Sequence, residues 1–107
     1  MSNSFSNPED QKLATLATST LARTGAKQAA ALRDTTGRTY VAINISAPQL
    51  TLDAVQAVFT VAASSQIVGI EGVVIAGEKA AMNAVITDNS PQATIFHIDA
   101  NGSVTRA

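Results

Sequence analysis

Ile70-Glu71-Gly72-Val73-Val74-Ile75-Ala76, which directly follows Gly69, is the most informative segment of the chain. Apart from Glu71 it carries no charge, and its side chains are apolar at both odd and even positions. A strand with two apolar faces is typical of a parallel strand in an α/β sheet, covered by helices on both sides. The rest of the chain should therefore supply helices that pack against this strand.

Helical patterns lie on both sides of this strand. Thr51 can cap a helix with two apolar stripes, formed by Leu52, Val55, Phe59 and Ala62 and by Ala54, Val58 and Val61. A helix this apolar should be mostly buried. Downstream, residues 78–87 return to helical spacing through Met82, Val85 and Ile86, and Thr94–Asp99 predicts a strand that ends at the turn Asn101-Gly102.

Another helix and a hairpin are predicted in the first half of the chain. Pro8 suits a first helical position, Ser6 or Asn7 can cap the helix, and Gly25 can end it. The two strands of the hairpin are Lys27–Arg33 and Arg38–Ser46, joined by the turn Asp34-Thr35-Thr36-Gly37. Because apolar residues occupy both faces of the second strand, it should be internal or nearly so.

These elements predict one α/β domain over residues 8–107, preceded by a flexible tail of residues 1–7. A chain of 107 residues is too short for two independently stable domains, and the tail is rich in Ser and Asn. The predicted order is helix, strand, strand, helix, strand, helix, strand. A short C-terminal segment is long enough to add an edge strand.

The composition excludes several kinds of site. The chain has no cysteine, which removes disulfides, thiolate nucleophiles and cysteine-containing zinc sites. The formal net charge is −1 and no run of Lys or Arg occurs, so nucleic acid is an unlikely partner. The polar N-terminus and the lack of a long apolar segment predict a cytoplasmic protein that does not enter a membrane.

Three segments resemble the cytidine deaminase superfamily, and the broader likeness spans Gly37 to Glu78. Tyr40-Val41-Ala42-Ile43-Asn44-Ile45 resembles the second strand of that family, and Leu50-Thr51-Leu52-Asp53-Ala54-Val55-Gln56 resembles the start of its first catalytic helix. The segment from Pro91 to Val104 resembles its last core strand and the following turn. The resemblance implies a three-layer α/β/α fold around a mixed sheet, with strand order 2-1-3-4 and the first strand antiparallel.

The motifs that carry the chemistry of this family are missing. The family places Cys-Ala-Glu or His-Ala-Glu where this chain has Asp53-Ala54-Val55, so the proton-shuttling glutamate is replaced by Val55. The family's Pro-Cys-x-x-Cys ligand motif is also absent, since Ala76-Gly77-Glu78-Lys79-Ala80-Ala81 stands in its place. The resemblance therefore implies a protein that is not an enzyme and has neither a zinc site nor a cofactor.

Four residues could line a remnant of the family's pocket: Asn44, Asp53, Val55 and Gly77. Asp53 is either a polar group in that pocket or a first-turn carboxylate favoured by the helix dipole. Asn44 would face a sugar by resemblance, or it bonds the backbone of the loop at Ala47. His97, the only histidine, shares a strand face with Ile95 and Asp99 and is interpreted as a hydrogen-bonded structural residue.

Three functions remain open, in order of preference. The first is a non-catalytic domain that acts as an oligomeric or partner-binding module. The second is a nucleoside-type small-molecule binder with a reduced pocket, and the third is a hydrolase with an unrecognised site. A homo-oligomer, dimer or tetramer, is expected because the second and third helices should share one sheet face. One helix is then too narrow to cover the other face, and the leftover apolar surface should meet a second copy or an unidentified protein.

Overall fold

A computed structural model describes residues 5–107 of the chain. Within them it contains three helices and seven strands, which are α1 (Pro8–Thr24), β1 (Gln28–Asp34), β2 (Thr39–Ile43), β3 (Ile45–Ala47), β4 (Leu50–Leu52), α2 (Ala54–Ser64), β5 (Ile70–Gly77), α3 (Ala84–Asn89), β6 (Thr94–Ile98) and β7 (Val104–Arg106). No helix in this part of the chain is both long and apolar enough to cross a membrane.

Five of the strands form one mixed sheet in the order β2-β1-β5-β6-β7. β1 runs antiparallel to both of its neighbours, whereas β5 and β6 are parallel. The mixed sheet and the antiparallel first strand are as predicted, and β7 is the edge strand expected of the C-terminal segment. The prediction that β2 is internal is wrong, because β2 lies at the edge of the sheet. Four of its five residues are nevertheless half-buried, which explains why both of its faces carry apolar side chains.

The helices cover both faces of this sheet. On one face, Leu32 and Ile75 pack with Val58 of α2 and Ile86 of α3. On the other face, residues of α1 pack against Ala31, Val74 and Ile98, strand residues whose side chains point away from α2 and α3. α2 and α3 therefore share a face, as expected, and β1 is buried at every position. Three consecutive alanines at the centre of β1, Ala29 to Ala31, let the layers approach closely.

The boundaries of α1 agree with its sequence signals, whereas those of α2 and α3 do not. Asn7 caps α1 and Gly25 ends it in the left-handed conformation. Thr51 does not cap α2, because residues 45–52 instead fold into the separate β3–β4 hairpin and Asp53 is the cap. Residues 78–83 are not helical, and α3 starts only at Ala84. In residues 78–83 the backbone forms hydrogen bonds with the side chains of Gln28 and Asp53 instead of the hydrogen bonds of a helix.

The predicted flexible tail, residues 1–7, lies partly outside the described residues. In its described part, the Phe5 ring packs edge-on against the Phe96 ring with centroids 5.1 Å apart. The Asn7 side chain accepts a hydrogen bond from the Glu9 backbone at 2.9 Å. These contacts attach residues 5–7 to the α1 face of the sheet.

Candidate functional site

The first residue of β1, Gln28, connects three separate elements through its buried amide. Its side-chain Oε1 accepts a hydrogen bond from Ala54 N–H, at the start of α2, at 3.0 Å. Its Nε2 donates to the carbonyl oxygens of Glu78 and Lys79 at 3.1 and 2.9 Å. The residue is only 6% exposed, so these partners replace water completely. Gln28 thereby holds the start of α2 against the segment that follows β5.

Asp53 makes a second link between the same two elements. Its Oδ1 accepts from Gln56 N–H at 2.8 Å, and Gln56 Oε1 accepts from Asp53 N–H at 3.0 Å, which completes a capping box. Its Oδ2 accepts from the backbone N–H groups of Ala81 and Met82 at 3.2 and 3.0 Å. Asp53 therefore precedes the helix rather than lying in its first turn, and both of its carboxylate oxygens already have protein partners.

The other three predicted pocket residues have different positions. Asn44 Oδ1 accepts from Gln28 N–H at 3.0 Å, so its backbone partner is Gln28 and not the loop at Ala47. Val55 has no exposed surface and belongs to the core between α2 and the sheet. Gly77 ends β5 with φ +96°, where a Cβ would clash with the carbonyl oxygen of Lys27. Asn44 and the start of α2 are thus connected through Gln28, whereas the Val55 side chain lies inside the core.

His97 makes the structural contact that its sequence context favoured. It is 6% exposed, and its Nε2 lies 2.7 Å from the carbonyl oxygen of Gly77 on the neighbouring strand. Because a carbonyl oxygen only accepts, Nε2 is the protonated nitrogen of this pair. The bond fixes the end of β5 against β6.

These residues do not fit the zinc ion that the family motif would hold. A catalytic zinc requires three protein ligands and an open position. The chain has no cysteine and one histidine, and both Asp53 oxygens accept backbone hydrogen bonds. Within residues 5–107, no group of three or more His, Cys, Asp or Glu side chains is placed to hold a metal ion. No chemistry can therefore be assigned to a metal at this position.

A charged cluster lies at the opposite end of the sheet. Arg33 donates to Asp10 at 3.0 Å and to Glu71 at 2.9 Å, and both its own side chain and that of Asp10 are buried. Burial opposes the charged form of Arg33, but the hydrogen bonds to Glu71 and Asp10 outweigh it and raise its pKa. The cluster attaches the first turn of α1 to β1 and β5, which is a structural role.

The neighbouring Asp34 organises the β1–β2 turn. Its Oδ1 accepts from the backbone N–H groups of Thr36 and Arg38 and from the Thr36 hydroxyl, all within 3.0 Å. Burial would raise the pKa of Asp34, but these hydrogen bonds outweigh it and hold that pKa below its ordinary value. The sequence identified this turn but gave no sign that its carboxylate is buried.

Gln28 is the central residue that sequence reasoning missed. The available signal was a glutamine directly before four apolar strand residues, Ala29 to Leu32, because a buried amide must find several partners. The identity of those partners depends on the tertiary fold, since Glu78 and Lys79 lie about fifty positions away along the chain.

The architecture defines the class of protein: an α/β domain in which helices cover both faces of a mixed five-stranded sheet. A model of the cytidine deaminase-like family matches residues 6–102. The chain therefore belongs to the cytidine deaminase-like family. No curated protein shows significant sequence similarity to it.

Proposed function

We propose that this chain is a non-catalytic member of its family that functions as a self-associating module. The absence of zinc-ligand chemistry supports the first part of the proposal. The family's glutamate position is occupied by Val55, which is fully buried and cannot transfer a proton. Asp53, at the family's ligand position, instead joins two structural elements.

The observation that carries the second part is the β3–β4 hairpin. Its register pairs Ile45 with Leu52 and Ala47 with Leu50. Directly opposed residues share a face of a hairpin, so these four side chains form an apolar face, while Ser46 and Thr51 form a polar one. Leu50 is 51% exposed and Ile45 is 37% exposed. The apolar face of the hairpin is therefore only partly covered by the chain itself.

A two-stranded hairpin is only marginally stable in water, and its stability depends on what covers its apolar face. Met82 is 42% exposed, and its backbone bonds to Asp53, the residue that follows β4. Three of the five exposed large apolar side chains of the described residues, Ile45, Leu50 and Met82, thus belong to segments next to the start of α2, whereas Val61 and Val68 lie at its other end. Such a surface is characteristic of an association site.

A second copy of the chain is the partner that suits this surface. The segment from residue 39 to residue 52 contains no charged side chain. Two copies of it can therefore meet about a two-fold axis without bringing like charges together. A partner selected by charge would have nothing to bind on this segment.

Light scattering coupled to size exclusion tests the proposal at micromolar concentration. We expect the mass of a dimer or tetramer for the wild-type chain and of a monomer for Leu50→Glu, because a carboxylate in an apolar interface is costly. Thr51→Glu is the matched control: it adds the same charge one residue away on the polar face and should keep the wild-type mass. A monomeric wild-type chain would contradict the proposal, and so would equal dissociation of both variants.

A further inference from the structure

We propose that two copies of the chain associate through antiparallel pairing of their β2 strands, so that the two five-stranded sheets become one continuous sheet. This pairing rests on the self-association proposed above and specifies its geometry. β2 lies at the edge of the sheet, and β1 is its only neighbour among the strands of residues 5–107. Only Asn44 separates β2 from the β3–β4 hairpin, so β2 extends the association surface assigned to the hairpin.

The backbone of β2 leaves one set of hydrogen-bonding groups unused. In an antiparallel pair, successive residues direct their N–H and C=O groups alternately toward the neighbouring strand and away from it. The Arg38 carbonyl accepts a hydrogen bond from Asp34 N–H at 2.9 Å, and the register of the two strands is regular from there on, so the even-numbered residues face β1. The backbone groups of Thr39, Val41 and Ile43 therefore point outward, and no described residue forms a hydrogen bond with them.

β2 lacks the sequence features by which edge strands usually avoid pairing. Charged side chains, proline, a bulge and a very short strand are common protections. β2 is five residues long, it contains neither a charged residue nor a proline, and its register with β1 is continuous. The opposite edge of the sheet differs, since β7 is three residues long and carries Arg106. β2 is therefore the edge that is open to another strand.

A second copy of β2 satisfies the outward groups in one particular register. When the two-fold axis passes through Val41, this residue faces Val41 of the other copy, and Thr39 faces Ile43 of the other copy. Each of these three pairs can form two hydrogen bonds, about six in all. An axis at Tyr40 or Ala42 forms only two such pairs within the strand. The register centred on Val41 also sets Tyr40 beside Ala42 of the other copy, so that each ring meets a small side chain.

The distribution of charge favours a second copy over a partner selected by charge. Residues 39–70 contain a single charged side chain, Asp53, whose carboxylate oxygens already accept backbone hydrogen bonds. α2 carries no charged side chain, although Thr60, Val61 and Ala63 are exposed on it. The solvent-exposed face of a helix normally carries charged or polar side chains. The uncharged exposed part of α2 is therefore suited to contact with an equally uncharged surface.

The position of α2 is compatible with pairing of the two sheets. α2 contacts β1 and β2, and it also contacts α3, which connects β5 with β6. Its axis therefore lies about half a strand spacing inside β2, and pairing of the strands about 4.8 Å apart places the two α2 axes about 10 Å from each other. Packed helices typically have axes about 8–10 Å apart. One interface can thus cover both the open strand edge and the uncharged exposed part of α2.

Amide hydrogen exchange, followed by NMR over a range of protein concentrations, tests the pairing. In the oligomer we expect Thr39, Val41 and Ile43 to exchange at least about tenfold more slowly than in the diluted monomer. Tyr40 and Ala42 bond to β1 in both states and are internal controls. Fast exchange of the three outward amides in an oligomer would overturn the pairing and leave self-association intact, and protection that persists in the monomer would also refute it. A monomeric wild-type chain would overturn both proposals and leave the edge to a strand of another protein.

Single cysteines test the register, because the chain has no cysteine of its own. Val41→Cys places two thiols on residues whose Cα atoms lie about 5.5 Å apart in the pair, within reach of a disulfide. Ile43→Cys is the matched control, since positions 43 of the two copies are offset by four residues, or about 13 Å along the strands. Mild oxidation should give a covalent dimer on a non-reducing gel with Val41→Cys and not with Ile43→Cys. Equal cross-linking of the two variants, or none with Val41→Cys, would refute the antiparallel pairing.

Discussion

At the scale of single residues, Gln28 shows how a buried polar side chain can determine the arrangement of neighbouring elements. One amide satisfies the first N–H group of α2 and two carbonyl groups of the segment after β5. No apolar residue could do this, because the buried N–H of Ala54 would lose its partner and the two carbonyl groups would lose their donor. The amide therefore contributes both stability and the relative placement of α2 and segment 78–83.

Replacing Gln28 with Met should lower the free energy of unfolding by roughly 2–4 kcal/mol, since the side-chain volume is kept while backbone partners are left unsatisfied. Urea denaturation of the wild type and the variant measures the difference. Gln92→Met, at an exposed position, is the control and should change stability by less than about 0.5 kcal/mol. Equal effects of the two substitutions would show that the Gln28 network adds nothing.

Asp34 predicts a specific dependence of stability on pH. Its pKa is lower in the folded chain than the ordinary value of 3.8, because the ionised carboxylate accepts hydrogen bonds in the β1–β2 turn. The unfolded chain therefore takes up a proton first as the pH falls. The stabilisation is complete above the ordinary pKa and is lost as the pH falls through the folded pKa.

The Asp34→Asn variant tests this dependence directly. It should be less stable than the wild type at neutral pH, and the difference should shrink once the pH drops below 3.8. Urea denaturation across this pH range supplies the measurement. A difference that stays constant with pH would mean that ionisation of Asp34 contributes nothing to folding.

At the scale of elements, Asp53 couples the start of α2 to segment 78–83. A first-turn carboxylate would be replaceable at little cost, but this one accepts hydrogen bonds on both oxygens. Asp53→Ser can still cap α2, yet its shorter side chain cannot reach Ala81 and Met82. We expect a loss of about 1–2 kcal/mol and faster amide hydrogen exchange at those two residues.

Gln56→Ala is the matched control for Asp53→Ser. It removes only the reciprocal half of the capping box and leaves the carboxylate in place. Exchange at Ala81 and Met82 should therefore stay at the wild-type rate in this variant. If both variants accelerate exchange equally, the link to segment 78–83 runs through the helix rather than through the Asp53 side chain.

The elements that sequence reasoning located correctly are those with local signals. Asn7, Pro8 and Gly25 define α1 because capping and helix termination depend on neighbouring residues. The β3–β4 hairpin is absent from the sequence-based prediction, which ends the second strand at Ser46 and caps the next helix with Thr51, although Pro48 and Gln49 form a turn that joins two short strands. Residues 78–83 have helical spacing, but their backbone is held in another conformation, because Lys79 accepts a hydrogen bond from Gln28 and Met82 donates one to Asp53.

The candidate site was less predictable than the fold. Asn44 and Asp53 were selected by resemblance, and both take part in the polar contacts around the start of α2. Their partners could not be read from the sequence, because Gln28 comes close to Asn44, and Ala81 to Asp53, only when β1, β5 and α2 are assembled.

At the scale of the whole molecule, the chain has the architecture of its family, a mixed sheet covered by helices on both faces. The start of α2 and the segment after β5 lie together at one end of that sheet. They are joined by the Gln28 amide, which accepts from Ala54 N–H and donates to the Glu78 carbonyl, and by the Asp53 carboxylate, which accepts from Ala81 N–H. Polar side chains can thus connect two elements by hydrogen bonds alone, provided that every buried group finds a partner.

The purified chain should therefore hold no stoichiometric zinc and should not deaminate cytidine or deoxycytidine. Elemental analysis and a turnover assay against a chelator-treated control measure both properties, and one zinc per chain or turnover above that control would contradict the proposed non-catalytic function.

Restoring the acid at the family's glutamate position should not restore activity either. Val55→Glu places a carboxylate in a core position with no exposed surface and should cost several kcal/mol of stability, visible as a lower urea midpoint. A variant that remained as stable as the wild type would mean that position 55 opens toward solvent and could still serve a reacting group.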